Sequence, residues 1–301
     1  MFSKSKIIGL ICIVVYSSVT VAKLPATDEA ITLKYDSALT RDGFSSPMVE
    51  VKIDDNHTGI FLIDTGASSN VMASWFSKKL PTDHKSDLTI PDSTGQKIKV
   101  SLFQSDMRIA KKSFQKQTFL IADFPEDFEK NQIAGIISPK TLGLVVAVDF
   151  KMPRLIIKDS VEQMMKDLNI DIIPRAQQTT CLAASSSMYV VEVMVHKQKM
   201  KLLVDSGSAT TKIFRLSPGG QVLKGIAKKT EKQTAGLSGR KVDLLQLPES
   251  AIQFAGYETV ANIFIQDSAG KGCPSEGLLG MDLLKNCTVV MAKEDIGISC
   301  R

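Results

Sequence analysis

One segment of the chain occurs twice. Phe61-Leu62-Ile63-Asp64-Thr65-Gly66-Ala67-Ser68 returns 141 residues later as Leu202-Leu203-Val204-Asp205-Ser206-Gly207-Ser208. Each copy follows an alternating apolar run and a polar turn, Val49 to Ile53 in the first and Val191 to Val195 in the second. Downstream come matching turn-plus-strand units, Ser93-Thr94-Gly95-Gln96-Lys97-Ile98 and Leu237-Ser238-Gly239-Arg240-Lys241-Val242. Apolar runs ending in Asp123 and Asp267 follow, and then Ala134-Gly135-Ile136-Ile137 and Glu276-Gly277-Leu278-Leu279-Gly280. The distance from the Asp to the late Gly is 71 residues in one copy and 72 in the other. Landmarks in one order at nearly constant offset mean duplication, and a period this long describes two homologous lobes rather than a solenoid.

Inside each copy, short runs of Val, Ile, Leu and Phe alternate with polar residues and are broken by Gly, Pro, Asn and Asp, which predicts an all-β fold. The clearest helix falls between the copies. Ser160 and Gln163 form a capping box, and Val161, Met164, Met165 and Leu168 make one apolar face, read here as packing rather than as a ligand set. The expected division is 1–22 a signal peptide, 23–158 the first lobe, 159–180 a helix and linker, and 181–301 the second lobe.

The first 22 residues read as an export signal. Lys4 and Lys6 precede a ten-residue apolar run from Ile7 to Tyr16, and Thr20-Val21-Ala22 offers short side chains for a cut before Lys23. That run is short of the ~20 residues that span a bilayer, so no stable membrane insertion is expected. The mature chain would then be periplasmic or secreted, with no long pro-segment before the first strand. The 37 Lys and Arg stand against 32 Asp and Glu, and the surplus is spread along the chain, which gives nucleic acid no footprint. Three scattered histidines and the lack of a Cys-x-x-Cys pair give a metal no site. No cofactor is expected.

Four cysteines remain after export, Cys181, Cys273, Cys287 and Cys300, and an oxidising compartment favours their pairing. Two apolar strands, Cys287 to Met291 and Ile296 to Cys300, flank the polar turn Lys293-Glu294-Asp295. A hairpin centred between Lys293 and Glu294 sets Cys287 opposite Cys300, close enough to bond. Of the three possible connectivities this favours Cys287–Cys300 with Cys181–Cys273.

Asp64 and Asp205 carry the chemistry. Each directly follows a strongly apolar strand, where an unpartnered carboxylate is costly. A pseudo-twofold axis between duplicated lobes brings equivalent residues face to face. Two adjacent carboxyls resist double ionisation and share a proton, so one can act as base on a water while the other donates to the attacked carbonyl.

On these two Asp-Thr/Ser-Gly motifs and the two later segments, Ile133-Ala134-Gly135-Ile136-Ile137 and Gly277-Leu278-Leu279-Gly280-Met281-Asp282, the chain resembles the aspartic proteases, over essentially its whole mature length. The resemblance implies a bilobal pepsin-like or retropepsin-like fold with an active-site cleft between two barrel-like lobes. It implies an aspartic endopeptidase, a monomer, whose partner is an extended polypeptide substrate held over six to eight residues with apolar side chains around the cut. Asp64 and Asp205 match the catalytic dyad. Thr65 and Ser206 match the hydroxyls that bond across to the opposite loop, and Gly66 and Gly207 match the close-approach glycines. Ser208 is expected to bond Asp205, which Ala67 cannot do for Asp64. The flap turn falls at Asp92-Ser93-Thr94-Gly95, with Asp92 where pepsin-like enzymes carry Tyr. The competing reading is a silent protein that grips a peptide without cutting it; retention of both Asp residues and both hydroxyl neighbours speaks against it.

Overall fold

In a computed structural model of the chain, residues 30–35, 45–81, 85–92, 94–143, 145–170, 172–173, 188–267, 275–292 and 296–300 are described. The signal segment, Ser93, Cys181 and Cys273 lie outside them. The described residues form three sheets, with no helix long and apolar enough to cross a membrane.

The first copy folds as a seven-stranded sheet in the order Met48–Ile53, His57–Ile63, Ile133–Ile137, Asn70–Ala73, Lys112–Ala122, Lys97–Ile109, Lys85–Pro91. Met48–Ile53 also pairs with the far end of Lys97–Ile109, at Val51↔Ile109 and Ile53↔Met107, which closes a barrel. Period-2 alternation in Met48–Ile53 turns Val49, Val51 and Ile53 inward and leaves Glu50 and Lys52 outside. The barrel fills with Phe61, Phe76, Met107 and Phe119, and the Phe61 and Phe76 rings meet edge to face at 5.9 Å.

The second copy repeats the arrangement in a nine-stranded sheet. The shared element is the late strand threaded beside the Asp strand. Ile133–Ile137 runs parallel to His57–Ile63, with Ile63 opposite Ile137, and antiparallel to Asn70–Ala73. Gly277–Leu279 does the same between Gln198–Val204 and Lys212–Phe214, with Val204 opposite Leu279. Three strands crowd together here, and a side chain at Gly135 or Gly277 would strike the backbone carbonyl of Val71 or Lys212.

A third, six-stranded sheet joins the two copies: Ile31–Thr32, Arg154–Lys158, Val145–Asp149, Cys287–Ala292, Ile296–Cys300, Ile172–Ile173. Its central pairing, Val145–Asp149 against Cys287–Ala292, crosses from one half of the chain to the other. The helix Val161–Leu168 begins at the Ser160 cap, whose Oγ accepts from the Gln163 N–H, and ends at Asn169 in the left-handed region. Its Met164 is wholly buried with Val145, Ala147, Ile156 and Val290 of the joining sheet. In the terminal hairpin Cys287 pairs with Cys300, and Met291 with Ile296, the register expected from the sequence. The two cysteines are disulfide-bonded at a Cα separation of 4.1 Å.

Candidate active site

The two apolar strands deliver their aspartates to one point. The Asp64 N–H donates to Ile137 C=O at 3.0 Å, and the Asp205 N–H to Leu279 C=O at 3.0 Å. The threaded strand thus fixes each Asp backbone by the same bond. The two carboxyls are hydrogen-bonded to each other across the lobe boundary.

Below them the loops interlock. Thr65 Oγ1 donates to Val204 C=O at 2.8 Å and accepts the Ser206 N–H at 3.0 Å. Ser206 Oγ donates to Ile63 C=O at 2.7 Å and accepts the Thr65 N–H at 3.0 Å. Both side chains are fully buried, so these four bonds are shielded from water and rigidify the junction. Gly66 and Gly207 let the loops close. A Cβ on Gly66 would lie 2.7 Å from Asp205 Cγ, and one on Gly207 2.5 Å from Asp64 Oδ2.

The carboxyls themselves are held unequally. Asp64 Oδ1 accepts N–H groups from Gly66 at 2.8 Å and Ala67 at 3.1 Å. Asp205 Oδ1 accepts from Gly207 at 2.9 Å. Burial pushes both groups above the usual carboxylate range. For Asp205 the neighbouring Asp64 charge pushes further in the same direction. For Asp64 the Gly66 N–H and the Asp205 hydrogen bond oppose the rise. The pair therefore retains a proton at pH values where an isolated carboxyl has lost it.

One expected contact is different. Ser208 Oγ donates to Thr210 C=O at 2.9 Å and not to Asp205. The loop bends so that this carbonyl points back at the buried hydroxyl, while the Asp205 carboxyl is drawn toward Gly207 and Asp64.

Of the flap candidates, Asp92, Thr94 and Gly95 lie between the strands Lys85–Pro91 and Lys97–Ile109. Asp92 is buried and anchors this turn: Oδ1 accepts from Thr94 N–H at 2.8 Å, Thr94 Oγ1 at 2.6 Å and Gln96 N–H at 3.1 Å. Gly95 takes the positive φ the turn requires. The other carboxylate oxygen leaves the lobe. Asp92 Oδ2 accepts from Ser238 N–H at 2.9 Å and Ser238 Oγ at 2.6 Å, at the tip of the equivalent hairpin of the second lobe. Burial pushes the Asp92 carboxyl up, but the bonds from Ser238 and Thr94 together hold it below its ordinary value. Leu237, beside Ser238, packs against the same buried cluster of the first lobe as Ile90, Ile98 and, from the Asp64 loop, Ala67.

Several residues around the dyad carry no motif. Asn70 Oδ1 accepts from Ser138 N–H at 3.0 Å and Thr141 Oγ1 at 2.9 Å. Its counterpart Thr211 bonds Asp282 by both N–H and hydroxyl, at 3.0 and 2.8 Å, and its Oγ1 accepts the Gly280 N–H at 3.1 Å. The offset of 141 links Asn70 to Thr211, a signal available in the repeat. Two lysines, Lys140 and Lys212, feel the dyad's charge. Two surface cavities, of about 430 and 670 Å³, are lined by neither Asp64 nor Asp205; the larger lies along Gln96–Lys99 and Ser238–Arg240 beside the joined tips.

Residues 49–140 match the family model described as Aspartyl protease. The chain is similar in structure to the aspartic proteinase from Irpex lacteus, with a TM-score of 0.54 at 11% identity, covering 90% of this chain and 96% of that one. No curated protein matches the sequence. Residues 49–140 of the first lobe thus match the aspartyl protease family, and the chain has the bilobal pepsin-like fold.

Proposed function

We propose that this protein is an exported aspartic endopeptidase in which Asp64 and Asp205 activate water. The observation that carries this reading is the interlocked pair of loops, which brings two buried carboxyls together, each against the glycine of the opposite loop. Asp64, with two N–H donors, is the better-stabilised anion and serves as base; Asp205 carries the proton. Water oxygen attacks the peptide carbonyl carbon as Asp64 removes its proton, and Asp205 protonates the carbonyl oxygen, giving a gem-diol. The C–N bond then breaks. Asp64 returns its proton to the leaving nitrogen, and a gem-diol hydroxyl returns its proton to Asp205, leaving a carboxylic acid and an amine.

Ala67 of the Asp64 loop, Ile90, Ile98 and Leu237 of the second-lobe hairpin all lie only partly buried against one apolar cluster, which supports a preference for apolar side chains around the cut. Two hairpin edges suit an extended chain bound by backbone pairing. The lysine-led apolar start of the sequence supports export, as does the Cys287–Cys300 bond, which an oxidising compartment maintains.

The test is cleavage of an unstructured protein such as casein across acid to neutral pH by the wild type, Asp64→Asn and Asp205→Asn. The wild type cuts, and each folded variant loses activity by about 10³-fold or more, because an amide supplies neither base nor acid. Peptide binding without cleavage by the wild type would replace this reading with the silent-binder one.

A further inference from the structure

Lys140 sits where a lysine is hard to explain as packing. Its Nζ is cut off from solvent and has no hydrogen-bond partner among the described residues. An ammonium normally donates three bonds, and a buried one without counter-charge costs several kcal/mol.

The local geometry leaves Lys140 little freedom. Ile137, whose C=O holds the Asp64 N–H, leads into the turn Pro139–Thr141. Ser138 Oγ donates to Ala67 C=O at 2.7 Å, and Ser138 N–H and Thr141 Oγ1 both bond Asn70. The turn is therefore fastened to the Asp64 loop on both sides of Lys140. From it the side chain crosses into the second lobe, where Nζ stands 5.2 Å from the Tyr189 ring. Tyr189 C=O accepts the N–H of Val204, the residue before Asp205, and Tyr189 Oη bonds Ala292 C=O in the joining sheet. The ammonium is thus held between the strand ends that carry the two aspartates. Burial outweighs the opposing pull of the Asp64 and Asp205 charges and leaves Lys140 at about 8.

The second lobe does this differently. Counting from the residue that holds the Asp backbone, Lys140 is three after Ile137 and Asp282 three after Leu279. Asp282 is an anion engaged with Thr211, and the second lobe's cation, Lys212, comes instead from the strand Lys212–Phe214. Lys212 Nζ donates to Thr234 Oγ1 at 2.9 Å. The charged groups facing the dyad are then Lys140 and Lys212, with Asp282 beyond Lys212.

We infer that Lys140 is a positioning residue for the dyad: its sealed ammonium balances the negative charge shared by Asp64 and Asp205 and lowers the pH at which the pair gains and loses its proton. The inference rests on the proposed function for its catalytic meaning, but its physical content does not require cleavage.

The experiment is a pH titration of the Asp64 and Asp205 carboxyl carbons by NMR of full-length, carboxyl-¹³C-Asp protein, assigned with Asp64→Asn and Asp205→Asn. Lys140→Met removes the charge and keeps the length; Lys140→Gln is a second neutral variant if the first does not fold, and Lys140→Arg keeps the charge. Both dyad steps are expected to move to higher pH in the neutral variants, by about one unit or more, and to move far less in Lys140→Arg. Superimposable titrations in wild type and a folded neutral variant would overturn the inference and reduce Lys140 to a stacking partner of Tyr189. Casein cleavage is followed in parallel, and its pH profile should move in step. A shifted titration in a protein that never cleaves keeps the electrostatic role and removes the protease reading. Cleavage with an unmoved titration does the reverse.

Discussion

The two aspartate loops are alike at the centre and unlike one shell out. Thr65 and Ser206 exchange the same four bonds, and Gly66 and Gly207 give the same clearance. Around them the lobes diverge. The first loop is fastened through the amide oxygen of Asn70, the second through the carboxylate of Asp282. Lys140 follows the threaded strand in one lobe, and an anion stands there in the other. What must meet across the axis is symmetric; what only tunes charge and anchors the backbone has drifted. A pair sharing one proton tolerates that difference, because at any moment its two members have unequal roles.

The centre should break equally from either side. Gly66→Ala and Gly207→Ala each force a methyl group into the opposite carboxyl, and peptide cleavage is expected to fall by about 100-fold or more in both. A tenfold difference between these two variants would show that the loops are not equivalent at their core.

The next layer should break unequally. Asp282→Ala leaves the Thr211 N–H and hydroxyl without their acceptor, and about 2–4 kcal/mol of stability is expected to be lost in denaturant unfolding. Thr141→Val on the first-lobe side removes one hydroxyl from Asn70, which keeps the Ser138 N–H, and about 1 kcal/mol is expected. Similar losses would contradict the contrast drawn here.

The hairpin tips offer a milder break. Asp92→Asn weakens the link to Ser238 and should cost about 1–2 kcal/mol at neutral pH. Because the folded Asp92 carboxyl lies below its unfolded value, this stabilisation is full above the unfolded value and is lost as pH falls through the folded one. Thermal unfolding of wild type and variant should therefore converge in acid. The dyad has the opposite sign. Its raised carboxyl contributes stability at low pH that is lost as pH rises from the unfolded value through the folded one, about 8, so Asp205→Asn should flatten the decline in melting temperature across that window.

Much of this was legible in sequence because it is local or repeated. The duplication placed both aspartates, the Ser160 cap began the helix, and turn symmetry set the register of Cys287 against Cys300. The joining sheet was not legible: its strands are short apolar runs such as Val145–Asp149, whose partner lies more than 130 residues away and leaves no local trace. Asp92 was singled out as a departure from a flap Tyr, but its bond to Ser238 exists only once two lobes are docked. The Ser208 hydroxyl bonds Thr210 C=O instead of Asp205, and sequence does not tell which nearby acceptor a loop turns inward. Lys140 looks in sequence like any surface lysine after a proline, and only its burial marks it.

The central claim is that Asp64 and Asp205 act as one unit. Its most direct measurement is a double-mutant cycle on kcat/KM for a single apolar peptide, with Asp64→Asn, Asp205→Asn and the double variant, each confirmed as folded. If the carboxyls share one proton and one water, either single change removes the whole mechanism, and all three variants fall to the same residual rate. Losses that multiply in the double variant, or one single variant retaining more than a few per cent of wild-type turnover, would contradict it.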